Sequence, residues 1–243
     1  MHGLTTEYAP NGTLRVALNH GNRILVSRAA DGSPQGISVD LARALGTELS
    51  LPVEFVEYER AVDVSDSATS DAWDVCFLAV DPKRAEVLDF THPHVRIEGR
   101  YLAGPDCTAE TSDELVASGA PVGTVEGSAY SLTLQRKPGA EHLVVFPDIY
   151  AMLAALDAGQ ISAAAGIGDV MDAEAALRPG ARTLRPPFME IRQAMAIVKG
   201  RPQAAAHLRD FLGQLAANGG VGEILEAHGV SRQSAVVPDQ ALT

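Results

Sequence analysis

Short apolar runs alternate with stretches whose apolar residues recur at helical spacing, and this alternation from Leu14 to His228 constrains the fold most. Leu14-Arg15-Val16-Ala17-Leu18 reads as a strand that stops at the polar turn Asn19-His20-Gly21-Asn22. Ser38 reads as the cap of a helix over residues 39–49, with Leu41, Leu45 and Leu49 on one face. Pro52 introduces a second strand over residues 53–58, and the Ser, Thr and Asp of residues 59–72 suit a weak helix or loop. Trp73-Asp74-Val75 opens a third, whose unbroken apolar run suits a parallel strand covered on both faces.

After Phe90 the pattern restarts. Thr111-Ser112-Asp113-Glu114 has capping-box spacing, Val122-Gly123-Thr124-Val125 is a strand, and Gly127-Ser128 leads into a helix through Arg136. Asp148 caps a helix that Gly159 stops, a buried strand spans residues 161–165, and Arg185-Pro186-Pro187 breaks the pattern before a strand at residues 193–198. Pro202 suits a first helical turn, and a last short helix over residues 222–228 ends at Gly229. The expected fold class is α/β with mainly parallel sheets.

A chain of 243 residues buries enough surface to fold without disulfides or metals. Its formal charge of −12, from 31 acids against 19 bases, repels phosphate backbones, so neither nucleic acid nor an anionic membrane is an expected partner. Cys76 and Cys107 make no disulfide scaffold, and no apolar stretch approaches the length of a membrane span. Residues 1–7 lack the basic-then-apolar pattern of a leader. The expected location is therefore cytoplasmic as the chain stands, or periplasmic if a leader has been removed.

Nucleotide and metal chemistry find little support. Gly166-Ile167-Gly168-Asp169-Val170-Met171 follows a strand, but Met171 stands where a dinucleotide loop needs its third glycine, so a tight turn is the simpler reading. His92-Pro93-His94 offers two imidazoles without a nearby third ligand, and neither HExxH nor CxxC occurs. No cofactor and no metal are expected. Ser128 lacks the second glycine of a nucleophile elbow. At a helix start it, Ala129 and Tyr130 read either as an anion cradle or as a plain N-cap. Arg84, just past the third strand, is placed to grip a carboxylate bidentately.

Several segments in order resemble type II periplasmic solute-binding proteins, in the amino-acid-binding branch of extracellular family 3. They are Gly36-Ile37-Ser38-Val39-Asp40-Leu41-Ala42, then Trp73-Asp74-Val75 with Asp81-Pro82-Lys83-Arg84 and Leu88-Asp89-Phe90-Thr91-His92-Pro93. Val122 to Ser128 and Leu156-Asp157-Ala158-Gly159-Gln160-Ile161-Ser162-Ala163 complete the series. The resemblance implies a two-lobed fold with two hinge crossings, near residues 95–99 and 188–193. Lobe one would be residues 1–96 plus 191–243, and lobe two residues 97–190. It implies a ligand-binding set of Asn19, Asn22, Phe77, Leu78, Ala79, Arg84, Glu98, Ser128, Ala129, Tyr130, Gly166 and Gln193, with Arg84 on the ligand's carboxylate. A monomer is expected, with an ABC permease as partner only if the chain is exported.

The chain departs from that pattern where an amino acid's ammonium would sit, since Ile167 stands in place of a carboxylate. The strand before Arg84 carries Phe77, Leu78 and Ala79 where the family offers hydroxyls. A ligand with one carboxylate and an uncharged, partly apolar remainder is the expectation. The first function class is a binding protein without chemistry. The alternative is a cytoplasmic enzyme on the same scaffold, dehydratase-like on a small carboxylic acid, with Glu98 as acid or base.

Overall fold

Two strands, Leu88–Ala103 and Met189–Val198, carry the chain between two compact units in the computed structural model, which describes residues 2–238. Residue 1 and residues 239–243, the outermost positions of the expected first lobe, lie outside the described residues. The first unit takes the chain up to Arg96 and from Arg192 onward; the second is Ile97–Ile191.

In the first unit, α1 (His2–Tyr8) is followed by β1 (Leu14–Asn19), a small hairpin of β2 (Ser27–Arg28) and β3 (Pro34–Gln35), α2 (Ile37–Leu49), β4 (Val53–Tyr58), α3 (Ala61–Asp66) and β5 (Val75–Ala79). The sheet order is β4-β1-β5-β11, where β11 is Met189–Val198, and the first half of β6 (Leu88–Ala103) lies beside β11. There the Thr91 hydroxyl donates to the Met195 carbonyl and accepts from its amide, both at 3.2 Å. β1 is parallel to β4 and β5, but β11 runs antiparallel to β5, so the sheet is mixed rather than mainly parallel. The reason is that β11 returns from the second unit and is not the second strand of a helical crossover, which parallel pairing requires. Every residue of β5 is buried, as its apolar run demands.

Ser38 is not the cap of α2. Gly36 caps it with a φ of 125°, and a Cβ there would lie 2.5 Å from the Leu25 carbonyl oxygen. No other residue fits, so the chain enters the helix two residues early and Ser38 becomes a buried first-turn residue whose amide donates to Leu25 at 3.1 Å. α8 (Pro202–Ala217) and α9 (Gly220–Ala227) complete the unit, with the Tyr8 hydroxyl of α1 donating to the Ala204 carbonyl at 2.9 Å.

One side of β5 packs Cys76 and Leu78 with Ala17, Val64, Trp73, Leu88 and Ala196. At the start of β5 the Asp74 carboxylate is fully buried. It accepts from Arg15 Nε at 2.9 Å, the Arg15 amide at 3.1 Å and Arg201 Nη1 at 2.7 Å.

The second unit orders the far half of β6, then β9 (Ala163–Ile167), β7 (Val122–Val125) and β8 (Leu143–Phe146), with β10 (Arg182–Thr183) on β6. Its helices are α4 (Ser112–Ser118), α5 (Ala129–Leu134), α6 (Ile149–Asp157) and α7 (Gly168–Ala176). Thr111 caps α4 by accepting from the Glu114 amide at 3.1 Å, while Glu114 reaches back to the Glu110 amide at 2.8 Å. Asp148 caps α6 through the Ala151 amide at 2.8 Å. α5 ends at Leu134, short of Arg136, with Pro138 close behind. A Cβ on Gly166 would meet Met171 Cε at 2.7 Å, so this glycine serves strand-to-helix packing, as the tight-turn reading expects.

Candidate functional site

In the first unit the expected ligand residues gather at the carboxyl ends of β1 and β5. Asn19 Oδ1 closes an Asx turn on the Gly21 amide at 3.1 Å. Asn22 is pinned by its backbone: its amide donates to Asn19, and its carbonyl accepts from Leu25 and Val26, each at 3.0 Å. The residue is 5% exposed, and neither polar atom of its side-chain amide has a partner among the described residues. The same end carries a cluster that sequence reasoning missed. His20 Nε2 lies 2.7 Å from Glu57 Oε2, and Arg28 binds both Glu57 and Glu59. Its only sequence signal is two acids two residues apart at the end of a strand.

Strand geometry divides the trio Phe77, Leu78 and Ala79. Side chains alternate across a sheet, so Leu78 turns into the Trp73 core and cannot share a ligand face with the other two. Phe77 meets the His94 ring edge-on, centroids 5.9 Å apart. Gln193 is buried in register with Ala79.

Arg84 begins a short 3₁₀ turn and is 4% exposed. Its Nη1 donates to the Ala79 carbonyl at 3.0 Å. Burial lowers its pKa, and the charge of the buried Asp81 opposes that shift. The Cys76 thiol, fully buried, is pushed well above its ordinary range by desolvation, with Arg84 pulling the other way.

In the second unit Ser128 is the N-cap of α5. Its hydroxyl accepts from the Ser131 amide at 3.1 Å and donates to the Val125 carbonyl at 2.7 Å, so the hydroxyl part of the expected anion cradle is engaged within the helix start. Ala129 is half-buried and Tyr130 buried, its phenol pushed up to about 12 by desolvation, with a hydrogen bond to Ser128 opposing. Gly166 lies in register with Arg100. The Arg100 guanidinium joins Glu98 through Nε at 2.9 Å and Asp172 through Nη1, while Thr183 donates to Asp172 at 2.7 Å and Arg185 reaches Glu98 at 3.4 Å. Glu98 is thus exposed and tied to two guanidiniums. Arg100 and Asp172 were not singled out in the sequence, since nothing in their spacing links them.

His92 is half-buried and His94 fully buried on β6. Among the described residues no group of three or more His, Cys, Asp or Glu is placed to hold a metal ion. No helix there is long and apolar enough to cross a membrane.

Solved structures share this fold. A mutant of the arginine-binding protein ArgBP from T. maritima is 18% identical, with 93% of this chain and 99% of that one covered at a TM-score of 0.77. An amino acid ABC transporter substrate-binding protein from Streptococcus pneumoniae, bound to L-arginine, is 19% identical over 93% and 97% at 0.76. A histidine kinase sensor domain similar to periplasmic binding proteins is 22% identical over 88% and 95%, also at 0.76. No curated protein matches significantly. Residues 14–230 match a single family across nearly the whole described fold, and the chain belongs to the bacterial extracellular solute-binding proteins, family 3.

Proposed function

We propose that this solute-binding protein holds a small ligand by one carboxylate on Arg84 and carries out no chemistry on it. The observation that carries the reading is the buried guanidinium at the carboxyl end of β5, oriented by the Ala79 carbonyl. A desolvated cation rewards a ligand carboxylate strongly, because charge-assisted contacts strengthen as water is excluded. Asp81 is the competitor within the chain, so the ligand must outbid it. Within the second unit, the acids near Gly166 are engaged: Glu98 with Arg100 and Arg185, Asp172 with Arg100 and Thr183. The family resemblance leaves Ile167 where a carboxylate for an ammonium would stand. In an exported protein the bound solute would pass to an ABC permease.

A thermal-shift panel of carboxylates and their α-amino counterparts tests this directly. Ligand at a hundred times its Kd adds about 2.7 kcal/mol of apparent stability. Simple carboxylates are expected to stabilise at least as well as the matching amino acids. Arginine, lysine or glutamine binding far more tightly than every des-amino analogue would overturn the ligand class.

The ion pairs of Glu98 favour a structural role over acid–base work. Glu98→Gln is therefore expected to change affinity modestly, with no product formed by either variant in mass spectrometry of the bound carboxylate. A product made by the wild type and reduced roughly 10²–10⁴-fold in the variant would restore the enzyme reading.

A further inference from the structure

His94 occupies an unusual position for a titratable side chain. It is fully buried, and neither ring nitrogen has a partner among the described residues; His92 Nε2, two residues earlier on β6, is in the same state. A neutral imidazole carries one donor and one acceptor, so leaving both unmet is costly, and adding a proton costs more. From β5 the ring meets Phe77 edge-on. The cover on this stretch of β6 is the segment after α9. Ala235 bridges to Val95, the Val236 amide donates to the His94 carbonyl at 3.2 Å, and Pro238 and the His92 ring both approach Gly213 of α8.

No carboxylate among the described residues acts on His94. Phe77 of β5, Gly213 of α8 and the cover residues Ala235, Val236, Val237 and Pro238 are all uncharged. On β11, Met195 lies in register with Phe77 and its neighbour on the same face, Gln193, is an amide. The one charge acting on His94 is that of His92, which is of like sign when protonated. At the base of the cover, Arg232 pairs with Glu223 and Glu226 of α9.

We propose that His94 is a proton-operated latch, whose charging releases residues 235–238 from β6 while the sheet beneath stays folded. Water must reach a charged imidazole, and among the described residues this cover is paired to β6 only through the isolated bridge at Val95, with the buried Val236 beside it, whereas Phe77 belongs to a central strand. Opening of such weakly held segments precedes global unfolding.

The direction follows from linkage. Burial drives the closed-state His94 pKa down to about 3, with His92 adding to the shift. The released state titrates near the ordinary value of about 6.5. The closed form is therefore fully favoured above that value and loses ground as the pH falls toward the depressed one. Between pH 7.5 and 4.5 the open population is expected to rise roughly 100-fold.

Hydrogen exchange of the full chain by mass spectrometry, with intrinsic rates corrected for pH, tests the latch. Peptides over residues 230–238 are expected to exchange roughly 100-fold faster at pH 4.5 than at 7.5, with those of β1, β5 and β7 unchanged. His94→Phe should abolish the response, and His94→Gln, equally unable to titrate, serves if the phenylalanine variant does not fold. Acceleration shared by β1 and β5, no acceleration at all, or a response that survives both substitutions would each overturn the proposal.

Discussion

Replacing Asp74 with alanine is expected to cost the protein about 3–5 kcal/mol, the range for breaking a buried ion pair from one side. The carboxylate is fully buried between two guanidiniums whose side chains are only 17% and 18% exposed. It holds Arg15 through the side chain and through the backbone amide, and so ties the start of β1 to that of β5 and to the residue before α8. Alanine leaves both cations desolvated without their shared anion. Asp74→Asn keeps an acceptor and the shape, and should lose less. Asp71, exposed on the same Arg15, should be nearly silent. Urea unfolding gives the comparison, and with a chain this size each kcal/mol lost lowers the melting temperature by about 2–4 °C. A change under about 1 kcal/mol for Asp74→Ala would mean that the buried pair contributes little beyond a packed apolar group, as ion pairs sometimes do.

That arrangement illustrates where sequence reading stopped. Elements bounded by strong local signals were legible: β1 from its apolar run, β4 from the proline before it, α6 from Asp148 and Gly159, α4 from Thr111 and Glu114. Local chemistry decides those ends, so the sequence neighbours suffice. The start of α2 failed because it is set by Leu25, eleven residues earlier than Gly36, through a close approach that only glycine permits. The mixed sheet failed for the same kind of reason, since the direction of β11 depends on a long excursion rather than on its own residues.

Site residues follow the same division. The positions of Asn22 after β1, Arg84 after β5 and Gln193 on a crossing strand were legible from family resemblance. Their states were not. Leu78 faces the core because alternation is fixed by the partner β1, Ser128 spends its hydroxyl on its own helix, and Glu98 is engaged by Arg100 and Arg185. Arg100 pairs with Asp172, which lies far along the chain, and Asp81 acts on Arg84 through a turn whose sequence shows only two opposite charges.

Arg84 gives the sharpest test of the binding proposal, and its burial changes how the test must be done. Alanine at this position removes the cation facing the buried Asp81, so stability should fall together with binding, and a loss of affinity would be ambiguous. Arg84→Lys is the cleaner substitution. Lysine keeps the positive charge, so the fold and its melting temperature should stay close to the wild type, but it cannot present two parallel N–H groups to a carboxylate. Loss of a charge-assisted bidentate contact in a water-excluded site is expected to cost about 2–5 kcal/mol of binding, roughly 30- to 5,000-fold in Kd. Asp81→Asn should move the other way, because it removes the internal rival for the guanidinium and leaves a ligand carboxylate as its best partner. Isothermal titration with a carboxylate found in the thermal-shift panel measures both variants against the wild type. If Arg84→Lys binds as tightly as the wild type, and Asp81→Asn gains nothing, the guanidinium is a structural cation paired within its own turn, and the ligand's carboxylate is held elsewhere.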